Sequence, residues 1–174
     1  MSVALEQKQG LIAGDGLLPV KMAQYAKENG FDVVAISLSN DNYAQLKKYC
    51  SKVYSFCPGE VQKIEDTLKA EGVKQITFLG KVSKTILIKR PKFDARALDF
   101  IKKAIRLNDD KVMLMIIEEL EKIGVTILDQ TLFIKNTPKR VVNISLHILK
   151  TEKRILNFFI NFSHMPTKTL SWLL

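Results

Sequence analysis

The sequence predicts an α/β fold with an open, mostly parallel sheet, and three observations predict it. Five strand-like runs alternate with five helical patterns up to about residue 128. That alternation has the spacing of βα units, which sets parallel strands between helices on both faces. The first strand runs into a glycine turn, Gly14-Asp15-Gly16, and a helical pattern begins at once. Right-handed crossovers then leave few topologies, and the favoured one is a Rossmann-like three-layer order with the first strand central.

The elements follow in order. Leu11, Ile12 and Ala13 form the apolar run of a strand over 10–13. Leu18, Met22, Tyr25 and Ala26 give the helical pattern over 17–29, with Pro19 in the first turn, where its missing N–H is not needed. Asn29-Gly30 ends that helix. Asp32-Val33-Val34-Ala35-Ile36-Ser37 is the second strand. Asn40 marks the start of a helix over 41–49, and 52–56 is the third strand. Pro58 marks the start of a helix over 59–72, which Gly72 closes. Gln75 to Leu79 is the fourth strand. A helix over 94–106 precedes one over 109–123, capped by Asn108, with Asp109 and Asp110 favourably placed in its first turn. Gly124 ends it, and 124–128 is the fifth strand.

The 174 residues, 47% apolar, suffice for one ordinary domain with a good core. Cys50 and Cys57 make no disulfide framework and suit a reducing cytosol. No apolar run has the length of a membrane span, and residues 1–9 do not form a signal peptide. His147 and His164 lie far apart, without partners at ligand spacing, which argues against a zinc site and against a histidine triad.

The net charge is +9. Lys139, Arg140, Lys150, Lys153, Arg154 and Lys168, against Glu152, place +5 of it in the last fifth of the chain. Such a balance suits nucleic acid, an anionic membrane or a phosphorylated small molecule, or is ordinary solvated surface. Phe93 is the one aromatic residue within the basic cluster at 81–96, which disfavours nucleic acid. The chain changes character after about Lys135. No glycine follows Gly124 and no alanine follows Ala104. Lys, Ile, Asn, Phe, Leu and Ser dominate, as in an out-of-frame translation of AT-rich DNA. The expectation is a Rossmann-like domain over 1–135 and an atypical, irregular or helical basic tail over 136–174 that is not a domain. The other reading of the tail is a basic amphipathic helix at about 141–162 lying on a membrane or partner.

Two loops carry the chemistry. Gly14-Asp15-Gly16 puts backbone N–H groups and a helix N-terminus at one point, a ready anion site, although such turns also occur in α/β proteins without a ligand. Gly14 and Gly16 can adopt angles barred to other residues. The pattern is not the dinucleotide fingerprint, because Pro19 stands where the third glycine belongs and the second strand ends in Ser37 rather than an acid. NAD is therefore not expected. Nor is there a P-loop ending. The fourth strand runs into Gly80-Lys81-Val82-Ser83-Lys84, followed by Lys89, Arg90, Lys92 and Arg96, offset by Asp94. With the first strand central, the loops after strands one and four meet at the switch point, where ligands bind. Lys81 suits a phosphate by charge and Ser83 by hydrogen bonding. Asp15 could help hold Mg²⁺ beside a diphosphate.

Taken together, Gly10 to Pro19, the Gly80-Lys81-Val82-Ser83-Lys84 loop and Asn108-Asp109-Asp110 before a long helix resemble the UDP-2,3-diacylglucosamine pyrophosphatases of the LpxI type. The resemblance covers about residues 8–135. It implies hydrolysis of the diphosphate of UDP-2,3-diacylglucosamine to UMP and lipid X in lipid A synthesis, by water attack on the α-phosphorus with a divalent cation, Mg²⁺ or Mn²⁺. It further implies a Rossmann-like N-terminal domain, a C-terminal domain of different fold that supplies the essential acids, and a substrate cleft between the two. Nothing after Lys135 resembles that second domain, so no catalytic residue or metal ligand carries over. Gly14, Asp15, Gly16, Pro19, Gly80, Lys81 and Ser83 carry over as substrate-cleft residues. The expectation is a truncated, inactive half of a cytoplasmic enzyme, peripheral on the cytoplasmic face of the inner membrane and compatible with a homodimer. The alternatives are a non-catalytic nucleotide-binding module and a basic membrane-associated protein.

Overall fold

The computed structural model describes residues 6–80, 92–104 and 109–128. Five parallel strands run through them: β1 (Lys8–Ala13), β2 (Asp32–Ser37), β3 (Lys52–Ser55), β4 (Gln75–Leu79) and β5 (Thr126–Ile127). Five helices connect them: α1 (Leu17–Glu28), α2 (Tyr43–Tyr49), α3 (Val61–Ala70), α4 (Ala95–Ala104) and α5 (Asp109–Lys122). The sheet order is β3-β2-β1-β4-β5, with β1 central as its sequence position predicts.

Both faces of the sheet are covered, so β1 and β2 are buried along their length rather than on alternate residues. Leu11, Ala13, Val33 and Ala35 pack against Val20, Met22, Ala23 and Ala26 of α1 and Leu46 of α2. On the other face Ile12, Val34, Ile36 and Ile76 pack against Leu68 of α3 and Leu120 of α5. Gly30, Gly72 and Gly124 take left-handed angles just past the ends of α1, α3 and α5, the role their positions predict.

Several boundaries differ from expectation by a residue or two, three of them near the sheet and the turns that follow it. β1 begins at Lys8, because the polar Gln9 is buried within the sheet and its Nε2 donates to Oε1 of Gln75 at 2.9 Å. β5 is confined to Thr126 and Ile127, which pair with Gln75 and Ile76 of β4. α2 starts at Tyr43, with Asn42 rather than Asn40 at its N-cap. The loop carrying Lys81 and Ser83, the Asn108 cap and the tail over 136–174 lie outside the described residues.

Candidate functional site

The chain winds outward from β1 through β2 to β3, then crosses to β4 on the other side of β1. The sheet order therefore reverses between β1 and β4, the switch point where open α/β sheets hold ligands. Register makes the strands end level there: Ala13 lies beside Ser37 of β2 and Leu79 of β4. The turns that follow β1 and β4 meet directly. The N–H of Gly14 donates to the carbonyl of Leu79 at 2.8 Å. A Cβ on Gly80 would stand 2.7 Å from the Asp15 carbonyl oxygen and 2.8 Å from the Gly14 carbonyl carbon. Gly80 also has φ +93°, so neither space nor backbone admits a side chain.

Sequence reasoning assigned special angles to both Gly14 and Gly16. Only Gly16 needs one; Gly14 is not among the glycines at positive φ. Gly16 is the N-cap of α1, at φ 103° and ψ 175°, a region that is essentially glycine's alone. Among the described residues nothing lies within 4 Å of the Cβ it lacks. The first N–H groups of a helix have no carbonyl to bond within it. Among the described residues no side chain caps those of α1, and its first turn has no acidic residue. Pro19, the third helical residue, is buried and brings no N–H to satisfy. Leu17, beside the turn, is 68% exposed.

The contrast with α3 and α4 is instructive. Asp94 precedes α4, and its Oδ1 accepts from the N–H of Ala97 at 2.8 Å. Its Oδ2 accepts from the N–H of Gln62 in the first turn of α3 at 2.7 Å. One carboxylate thus caps two helices and fills the positive end of each. Among the described residues the corresponding end of α1 has no such cap.

Asp15 is half-buried, and its Oδ1 accepts from Ser39 Oγ. Asn42 Nδ2 donates to the carbonyls of Gly14 and Gly16, each at 2.8 Å. Ser39 and Asn42 were not singled out from the sequence. Their only local signal is a run of small polar residues, Ser39 to Asn42, just after the second strand ends. The Ser37 hydroxyl is buried and donates to the Ser39 carbonyl, which ties the end of β2 to the loop that follows it.

Arg96 is corrected as well. The sequence groups it with the phosphate-suited cations, but its guanidinium bridges Glu65 of α3 and Glu119 of α5. Among the described residues no group of three or more His, Cys, Asp or Glu side chains could hold a metal ion. Of the predicted cleft residues, the fold brings Gly14, Asp15, Gly16, Pro19 and Gly80 to one place. Lys81 and Ser83 lie outside the described residues.

Residues 8–137 match the family model of the LpxI N-terminal domain. The chain is also 33% identical over 126 residues to the UDP-2,3-diacylglucosamine pyrophosphatase LpxI of Caulobacter vibrioides. That similarity covers 68% of this chain and 42% of the relative, so the chain spans less than half the length of the curated protein it matches.

Proposed function

This chain belongs to the LpxI family by its N-terminal domain, and on that premise we propose that the β1/β4 crevice holds the diphosphate of UDP-2,3-diacylglucosamine. The observation that carries the reading is the contact of two glycine turns at the switch point, beneath the uncapped N-terminus of α1. Peptide N–H groups and a helix dipole stabilise a diphosphate there without any side chain. Lys81, one residue past the contact, adds a charge-assisted hydrogen bond. The exposed Leu17 offers apolar surface that an acylated ligand would cover.

In this reading the domain binds and does not turn over. Displacement at phosphorus needs acids that orient water in line with the leaving oxygen, together with positioning worth about 7–11 kcal/mol of barrier. Asp15 is the carboxylate the described crevice offers, and it is held by Ser39. The resemblance implies a second wall of the cleft, with its acids, in a C-terminal domain, and the similarity covers 42% of the relative. Among the described residues no helix is long and apolar enough to cross a membrane. The acyl chains of the substrate would bring the domain to a membrane surface from outside.

The test is UMP release. The 174-residue protein with UDP-2,3-diacylglucosamine and Mg²⁺ or Mn²⁺ should release none above background. Metal-dependent release by this chain would overturn the division between binding and catalytic halves.

A further inference from the structure

We propose that Asn42 is a positioning residue of this site, holding the Gly14–Gly16 turn in the shape that aims its peptide N–H groups at a diphosphate; the inference rests on the reading above. A turn that binds an anion must direct its carbonyl oxygens away from it, because they would repel phosphate oxygens. The Asn42 amide does this twice. Its Nδ2 carries two protons and donates one to Gly14 and one to Gly16, at 2.8 Å each, from a side chain that is 5% exposed. Both carbonyls are drawn toward the β2–α2 loop. Ser39 adds a second tie from the same loop through its bond to Asp15, which keeps that carboxylate from swinging across the amide groups.

The local structure of α2 shows that this arrangement overrides an ordinary preference. Asparagine is among the best N-cap residues, and Asn42 sits at the N-cap of α2. Yet its backbone is helical, at φ −93° and ψ −11°, and its side chain makes no capping bond. A residue that forgoes its own helix to brace a neighbouring turn breaks a local rule, and such breaks concentrate at functional sites.

The experiment uses the whole chain, with UDP and uridine as probes. Asn42→Ser is neutral, is a good N-cap, and is too short to reach both carbonyls. Asn42→Ala removes the amide without offering a cap. The unaltered chain should bind UDP more tightly than uridine. Asn42→Ser should lose UDP affinity by about tenfold or more, as for two lost buried hydrogen bonds, with uridine affinity and melting temperature held. Asn42→Ala should lose as much UDP affinity and melt lower. In the ligand-free Asn42→Ser protein the amide resonances of Gly14 and Gly16 should move while those of β3 stay. Unchanged UDP affinity in both variants would overturn the inference alone. So would an equal loss for UDP and uridine, which marks a merely structural bond. Failure of the unaltered chain to bind UDP would overturn the diphosphate reading, and this inference with it.

Discussion

At the scale of single residues, the site is built from glycines that do different things. Gly80 is small because the backbone of Gly14 and Asp15 lies against it. Gly80→Ala should therefore destabilise the fold by about 1–3 kcal/mol for the backbone angle, with overpacking adding about 1–3 kcal/mol more. Denaturant unfolding measures it, and a loss under about 0.5 kcal/mol, the ordinary surface range, would contradict the contact. Gly16 is different: its Cβ position is open, and its constraint is the angle alone. The Gly-Asp-Gly turn was legible in the sequence because glycines interrupt an apolar run just before a helical period. Asn42 and Ser39 were not, because their importance lies in a partner 26 or 28 positions earlier for Asn42 and 24 for Ser39. No local spacing encodes such a partnership.

Among the elements, α3, α4 and α5 are tied by side chains that the sequence groups with the basic stretch after the fourth strand. Arg96 lies between two nearly buried carboxylates, and Asp94 caps α3 and α4 together. Arg96→Ala should cost about 3–5 kcal/mol, because it strands buried charges. Asp94→Ala should cost about 0.5–2 kcal/mol for each cap lost. Melting curves of both variants check this, and the smaller loss should belong to Asp94. The same ties set a pH dependence. Lys122, and then Arg96, hold the Glu119 carboxyl below its ordinary range against the opposing effect of burial. The Tyr54 hydroxyl, and then Lys52, do so for Glu71, and Lys63 with the Cys57 N–H for Glu60. A lowered folded pKa adds stability above the unfolded value, about 4.3 for glutamate, and that stability is lost as the pH falls through the folded value. The melting temperature should thus be level from pH 7 to about 5 and fall below about 4. A flat profile down to pH 3 would show these pairs to be inert. Strand and helix order were readable because βα periodicity is strong. The Arg96 and Asp94 ties were not, since a charge shows its partner only once the helices pack.

Across the whole molecule, the topology carries the functional argument. A central β1 and a crossover to β4 were readable from the alternation of elements, and they bring together two glycine loops 64 positions apart, counted from Gly16 to Gly80. The tail was readable only as a change of composition, which says what such a segment lacks and not where it goes. Limited proteolysis should cut first between about Asn136 and Ser145 and leave a stable fragment. Amide exchange over 141–162 as slow as that over 75–79 would contradict a tail outside the core. The central claim, a diphosphate site at the β1/β4 crevice, is tested most directly by calorimetric titration with UDP-2,3-diacylglucosamine. The unaltered chain should bind; Gly16→Val should abolish binding by barring the backbone approach; and Lys81→Ala should weaken it by about 1.5–3 kcal/mol, as for a charged hydrogen bond. Equal affinity in all three proteins would contradict the claim.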